Sequence, residues 1–340
     1  MGSANSKGNI NMKLSVAIPT HNGAKYIQEA LGSIISQLED IDEEIEIVIS
    51  DNASTDRTPE IIKEYQNKYS FIKYFRNDKN LGADRNFDLA VKRSRGEYIW
   101  LFSDDDKMLP GAIKKVLDVI KNHSGLAAIF VNWSNYSTDL KRCNIGRTID
   151  IQKDIFFKAA DDFLSVVKLN AVFVSSNIVC RSLWKQTNLE SYIGSNWIHY
   201  ATLLVLIVEN PSYCIAEPYV IYRTGNIHWD KHNVVTNTKN TVSLMKILND
   251  LRGKGYSKMS VDKAIGVIVH HLPLEICGYK RRGVVLRGLY LKSMMKYFKF
   301  YPSFWLIDFP LLLLPNIFYK ILYRFMLQAK RVKQVFSKNI

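Results

Sequence analysis

Cysteine is sparse and unpaired by spacing. Cys143, Cys180, Cys214 and Cys277 are scattered with no CxxC pair, so the pattern holds no zinc finger or ribbon, and a reducing compartment is expected. The standard nucleotide signatures are missing as well. The first apolar strand runs into Pro19-Thr20-His21-Asn22-Gly23, which supplies neither a GxGxxG turn nor a Walker lysine. No secretory pattern opens the sequence. No apolar run reaches the roughly 20 residues that a spanning helix needs. The greasiest stretch, residues 303–319, is interrupted by Asp308, Pro310, Pro315 and Asn316. Acid is nearly absent at one end: residues 280–340 hold thirteen Lys or Arg against Asp308 alone, leaving about +2 of the total +14 for everything before them. Helix-turn-helix, finger and RNP patterns are lacking too, so this basic tail is not read as a nucleic-acid binder.

What is present is ample for a core. With 340 residues, 47% of them hydrophobic and 23% charged, the chain fits one large or two modest globular domains. Residues 1–12 are polar and Gly/Ser/Asn-rich and are expected to be disordered and tag-like. Their opening formally fits a myristoylation pattern, a short match that chance readily supplies.

A strand is predicted at residues 14–18 and a helix at 24–38, whose Ile27, Leu31, Ile34, Ile35 and Leu38 share a face. A second strand follows at 45–49, then a helix opened by Thr58-Pro59-Glu60. A third strand spans 71–75, a helix follows Asn80-Leu81-Gly82, and a fourth strand begins at Tyr98. Strands alternating with helices predict a parallel, doubly wound sheet. In such sheets ligands sit beyond the carboxyl ends of the strands. Those ends here carry Thr20 and His21, then Asp51 and Asn52, then Asp104-Asp105-Asp106.

The last of these is the most telling. Tyr98-Ile-Trp-Leu-Phe is strongly apolar and stops in three carboxylates. Like charges packed closely make ionisation costly, and a hard divalent cation bound together with substrate phosphates removes that cost. The residues therefore read as a metal–diphosphate site, with an acidic helix-capping turn as the bland alternative.

Four segments together resemble the family-2 glycosyltransferases of GT-A fold: Val16-Ala-Ile-Pro19-Thr20-His21-Asn22, Val48-Ile-Ser-Asp51-Asn52-Ala-Ser54-Thr-Asp56, Asn80-Leu-Gly82-Ala-Asp-Arg85-Asn86 and Trp100-Leu-Phe-Ser-Asp104-Asp105-Asp106. The likeness is firm over residues 14–112 and weaker to about 229. The short spacing between Gly82 and Arg85 is similar to the abequosyltransferase-like subgroup of O-antigen synthesis. The resemblance implies a Rossmann-like, mostly parallel mixed sheet. It implies that Pro19, Thr20, Asn22, Asp51, Asn52, Ser54, Arg85, Asp104 and Asp105 serve the nucleotide and donor sugar. Asp106 would be the principal ligand of Mg²⁺ or Mn²⁺, with His228 as a late histidine completing the metal site. The acidic pair that usually supplies the base in such enzymes is replaced by Gly194-Ser195-Asn196-Trp197. His199, Glu190 and Asp230 stand as unranked candidates for it.

The implied activity is inverting transfer of a sugar from a nucleotide-sugar donor, a UDP-sugar favoured, to a hydroxyl of a polyprenol-linked saccharide. A nucleotidyltransferase that makes a nucleotide sugar, or a saccharide- or membrane-binding protein that has kept the fold without catalysis, are the alternatives. The expected organisation is a catalytic domain over 13–235, with a nucleotide half 13–112 and an acceptor half 113–235. A helical, basic region over 236–340 follows. Its Lys and Arg among Trp305, Tyr301, Tyr319 and Tyr323 suit the inner, anionic face of a cell membrane. An oligomer is compatible with all of this.

Overall fold

A computed structural model describes residues 12–325 apart from 40, 43, 226–233, 282, 284–285, 287–288, 316–317, 320 and 324. His228, Asp230 and the first eleven residues therefore lie outside the described residues. Two compact units emerge: one of Met1–Asn226 with Gly253–Tyr256, the other of Ile227–Arg252 and Ser257–Ile340.

The first unit is a mixed α/β sheet. In chain order its elements are β1 (Leu14–Thr20), α1 (Ile27–Ile35), β2 (Ile45–Asp51), α2 (Thr58–Lys68), β3 (Ile72–Arg76), α3 (Ala83–Arg93), β4 (Tyr98–Leu101), β5 (Lys107–Met108), α4 (Ala112–Asn122), β6 (Ala128–Tyr136), β7 (Cys143–Ile145), β8 (Ile155–Phe157), α5 (Ala160–Val167), β9 (Asn177–Cys180), α6 (Arg181–Gln186), α7 (Ile198–Leu206) and β10 (Ser212–Arg223). The strand order is β3-β2-β1-β4-β9-β6-β10-β5, with β7 beside β6 and β8 beside β10. β1, β2, β3 and β4 run parallel. β9 runs antiparallel between β4 and β6. From β3 to β4 this is the parallel, wound sheet that the alternation predicts, and beyond β4 it is mixed, as the resemblance implies.

The chain leaves β1 toward β2 on one side and reaches β4 on the other. The crevice between those departures is the topological switch point, where such sheets bind ligands. β1 and β2 are buried along their whole length, as central parallel strands covered by helices on both faces must be. Gly96 allows this packing: a Cβ there would lie 2.6 Å from the Ser15 backbone nitrogen.

Three stretches fold otherwise than their sequence pattern suggests. Residues 156–167 have a helical pattern, but the helix begins only at Ala160, because Phe157 is spent in the short strand β8 against β10. The apolar run at 172–179 is largely 3₁₀ turns, with strand only from Asn177. The strand pattern at 213–216 continues to Arg223. It does so across an irregularity between Ile215 and Val220, which accommodates Pro218, a residue without the N–H that a ladder needs.

The second unit is helical: α8 (Val234–Asp250), α9 (Lys258–Lys280), α10 (Leu289–Phe298), a π-helical turn at Phe304–Asp308 and α11 (Phe309–Leu313). α9 starts where Ser257 accepts the N–H of Ser260 at 3.2 Å, an N-cap bond. It buries Val261, Ala264, Ile265, Ile268, Leu272 and Ile276 at helical spacing. No helix among the described residues is long and apolar enough to cross a membrane.

Candidate functional site

The carboxyl ends of β1, β2 and β4 are joined by side chains into one rim. Thr20 Oγ1 at the end of β1 donates to Asp104 Oδ2 beyond β4. Gly23 lies directly beneath: a Cβ there would be 2.2 Å from Asp104 Oδ2 and 2.6 Å from Thr20 Oγ1. Glycine is thus required for the loop to pass so close. Asn22 takes a left-handed conformation, φ 57°, and so does Ala53, φ 58°. The two loops interlock through these turns: Asn22 N donates to Ser54 Oγ at 2.9 Å and Thr55 N donates to Asn22 Oδ1 at 2.8 Å. Pro19 and Thr20 are buried within the same strand end.

Asp51 faces inward. Its Oδ1 accepts from Ser54 N at 2.8 Å and Ser54 Oγ at 2.6 Å, while Oδ2 accepts from Tyr74 OH at 2.7 Å. Arg76 Nε stands 3.5 Å from it. Burial beside this carboxylate drives the Tyr74 phenol well above its ordinary range, so Tyr74 is a fixed donor. Asn52 holds the third loop: its Oδ1 accepts Leu81 N at 2.8 Å and its Nδ2 donates to Asn80 Oδ1 at 2.8 Å. Asn77, Asn86, Ser50 and Arg93 extend this buried network, with Arg93 Nη1 donating to Ser50 Oγ at 2.7 Å. Asp51, Asn52 and Ser54 thus form the frame on which the loops hang.

Asp106 is the most constrained acid of the triplet. Its Oδ2 accepts from Ser175 Oγ at 2.6 Å and its Oδ1 from Arg223 N at 3.3 Å. Complete burial, then the neighbouring charge of Asp105, push its carboxyl well above the usual range. Among the described residues no Lys or Arg side chain is paired with it. Ser175 also accepts Ser103 N at 2.9 Å, and its carbonyl accepts Trp100 Nε1 at 2.8 Å. Asp105 is turned the other way: its Oδ1 accepts from Ser103 Oγ, and its carbonyl accepts Arg223 Nε at 2.9 Å.

Arg223, almost wholly buried at the end of β10, closes this loop. Besides Asp105 O, it donates through Nη1 to Thr138 O at 2.6 Å and through Nη2 to the Glu29 carboxylate. Its guanidinium lies 4.4 Å from the Tyr26 ring centroid. Neither Arg223 nor Ser175 was among the residues picked from sequence. Arg223 ends a β-branched and aromatic run, Val220-Ile-Tyr, in a charge, the pattern already seen at Asp104. Ser175 left no such signal.

α3 carries two adjacent ties. Asp84, buried, accepts Asn196 N at 2.8 Å and Ile198 N at 3.1 Å and so caps the start of α7. Arg85 points outward and meets Glu190, Nη2 to Oε2 3.3 Å, with the Glu190 side chain 72% exposed. His199 lies inside. Its Nε2 faces Val172 O at 2.8 Å and its ring packs edge-on against Phe87 at 5.4 Å. Burial lowers its pKa to about 4. It is a neutral core imidazole with Nδ1 lacking a partner.

Among the described residues no three His, Cys, Asp or Glu side chains converge on a metal position. A buried carboxylate with no Lys or Arg side chain paired to it among the described residues, and with Asp104 near it in sequence, nevertheless suits Mg²⁺ or Mn²⁺. These ions bind through one or two carboxylates and take their remaining ligands from phosphates and water.

Known proteins agree with this geometry. The model of Glycosyl transferase family 2 matches residues 15–170. Abequosyltransferase RfbV of Salmonella typhimurium is 31% identical over 274 residues, 72% of this chain and 77% of its own length. A GalNAc(5)-diNAcBac-PP-undecaprenol beta-1,3-glucosyltransferase of Campylobacter jejuni is 29% identical over 220 residues, 62% of this chain and 64% of its own. Among solved structures, S. aureus TarS 1-349 in complex with UDP-GlcNAc overlays with a TM-score of 0.58 at 16% identity, covering 87% of this chain and 76% of that one. Mannosyltransferase PcManGT from Pyrobaculum calidifontis, in complex with GDP-Man and Mn²⁺, overlays at 0.52 with 15% identity, covering 88% and 83%. With the strand-end rim, the interlocked loops and a relative at 31% identity over most of both chains, the protein belongs to glycosyl transferase family 2, in its abequosyltransferase-like subgroup, and is a glycosyltransferase of GT-A fold.

Proposed function

We propose that the enzyme moves one sugar, with inversion, from a nucleoside-diphosphate sugar to a hydroxyl of a polyprenol-linked saccharide, at the inner face of a cell membrane. One observation carries the reading: Thr20, Gly23 and Asp104 meet at the switch point of the sheet, and Asp106, two residues on, is a buried carboxylate held by Ser175 Oγ and the Arg223 N–H with no Lys or Arg side chain paired to it among the described residues. The names of the two curated relatives, an abequosyltransferase and an undecaprenol-linked glucosyltransferase, support the acceptor class. The UDP and UDP-GlcNAc complexes of TarS favour a UDP-sugar donor.

Each group then has a task. Pro19, Thr20, Asn22, Asn52, Ser54 and Arg85 shape and line the nucleotide cleft, and Asp51 braces the loop that faces the base. Asp104 and Asp105 flank the donor sugar. Asp106 would hold Mg²⁺ or Mn²⁺, with His228 a second ligand, and the ion would offset charge on the departing diphosphate. The acceptor hydroxyl needs a base within reach. Glu190 is the favoured one. It is exposed and poised on Arg85, whereas His199 is sealed in the core and protonates only in acid. Asp230 is the remaining candidate.

The test is turnover of a panel of radiolabelled nucleotide sugars with Mn²⁺ and a lipid-linked acceptor. Asp106→Asn should lower kcat/KM by about 10²–10³, the scale of losing one preorganised electrostatic contact, with the circular dichroism unchanged. Full activity in that variant refutes the metal role. Nucleotide binding without turnover of any donor refutes the assigned reaction.

A further inference from the structure

The helical unit exposes a surface that water does not favour. Every exposed residue that the structure describes from 302 to 325 is apolar, Trp305, Leu306, Ile307, Leu313, Phe318 and Ile321 among them. Leu306 is 78% exposed and Leu313 70%. The π-helical turn explains the first three. It buries Phe304 and Asp308 at its ends and leaves the three consecutive side chains between them facing out. Asp308, the sole acid after residue 280, is thereby withdrawn from the surface. Proteins in water rarely show so continuous an apolar patch unless it is covered.

The border of the patch is mainly basic: Lys246, Arg252 and Lys296 line one hollow with Tyr297, Phe300 and Tyr301, and Asp250 is the acid among them. Lys292 and Lys296 are exposed at i and i+4 on α10 and Lys299 is exposed in the turn just past its end. The last of these is welded to the apolar turn: Trp305 Nε1 donates to Lys299 O at 2.7 Å, and Lys299 Nζ lies 5.0 Å from the Phe300 ring centroid. Lys280 anchors the far side, donating to Leu314 O at 3.2 Å. A two-fold contact with a second copy would apply this surface to itself and bring like charges together. An anionic bilayer supplies what the surface lacks on both counts, phosphate for the lysines and acyl chain for the leucines.

We propose that the exposed side chains of Trp305, Leu306, Ile307, Leu313, Phe318 and Ile321 bed in the interface of an anionic bilayer without crossing it, with Lys292, Lys296 and Lys299 on the headgroups. This specifies the membrane contact invoked above. Its test is separable from the sugar chemistry, because transfer to a water-soluble acceptor analogue does not depend on it.

The full chain is partitioned onto vesicles of phosphatidylcholine alone and with 30% phosphatidylglycerol. Leu306→Glu with Leu313→Glu, both on exposed side chains, should cut partitioning at least about tenfold on either vesicle with an unchanged circular dichroism spectrum. Lys296→Gln with Lys299→Gln should cut it by about twenty-fivefold on the anionic vesicles, near fivefold for each lysine, and barely on the neutral ones. Brominated acyl chains should quench tryptophan fluorescence in the parent chain and not in Trp305→Phe. Undiminished partitioning of the leucine variant overturns the proposal. So does a lipid-free dimer, seen by sedimentation, that Leu306→Glu dissolves.

Discussion

Replacing Arg223 by Met separates a residue that holds the acid loop from one that merely fills space. The guanidinium gives three hydrogen bonds, to Asp105 O, to Thr138 O and to the Glu29 carboxylate, and stacks on Tyr26. Hydrogen bonds from a charged donor contribute about 1.5–3 kcal/mol each. Thr138 is exposed and its carbonyl can turn to water, and the Glu29 side chain is 43% exposed, so that pair is discounted for screening. Asp105 O and the Tyr26 contact bear most of the loss. A net cost of about 3 kcal/mol follows, which is a drop in Tm of about 6–10 °C for a unit of this size. Arg223→Lys keeps the charge and one bond of the fork, and should fall about midway. Asp106 remains tied by the Arg223 backbone N–H and by Ser175 Oγ, which a change of the Arg223 side chain leaves in place. The Mn²⁺ concentration for half-maximal activity should therefore rise by about tenfold while the metal requirement stays. Thermal melts read the first effect and a Mn²⁺ titration at saturating donor the second. A Tm within 2 °C of the parent would refute the account, since the buried fork would then hold nothing.

Three further outcomes are expected. Gly96→Ala should lower stability by about 2–4 kcal/mol in a thermal melt, because the new Cβ meets the Ser15 nitrogen at 2.6 Å and central strand β1 cannot recede. Asp84→Asn places an amide donor against the N–H groups of Asn196 and Ile198. It should cost about 2 kcal/mol and speed hydrogen exchange at the start of α7. His199, its pKa lowered by burial to about 4, binds its proton more readily in the unfolded chain. The stability it confers is complete above pH 6.5 and is lost as pH falls toward 4, roughly 3 kcal/mol in all. NMR should show its ring not titrating above pH 5, and a midpoint near 6.5 would place it at the surface.

Much of the nucleotide half could be read before any coordinates. Leu14 to Thr20 and Ile45 to Asp51 are short, apolar and ended by turn formers, and both are strands. The alternation of such runs with helical periods left little choice but a wound sheet, and a wound sheet places its strand ends together. Thr20 and Asp104 were therefore brought to one rim by topology alone. The 84 residues between them in sequence did not obscure it, because every step was a local pattern. The acceptor half offered no such pattern. Residues 172–179 are as apolar as any strand, but the chain turns through 3₁₀ geometry there so that Ser175 can face Asp106. Apolar content reports burial and does not report direction.

The same distinction accounts for the residues that sequence reading misplaced or passed over. His199 was a candidate base because imidazole titrates near neutrality, a property of the free side chain. Its position one step into α7, behind Trp197 and against Phe87, removes that property. Glu190 is an ordinary surface glutamate by composition. It gains interest only from Arg85, 105 residues earlier in the chain. Arg223 and Asp106 lie 117 apart and Arg223 and Glu29 194 apart, so no window of sequence contains both partners. An ion pair or a capping carboxylate is a relation between two elements, and each element was predictable while the relation was not. A strand that ends in a charge, such as Tyr98 to Asp104 or Val220 to Arg223, is the exception. The apolar run fixes where the strand end must lie, and a charge delivered there has to find its counterpart among the few other strand ends on the same rim.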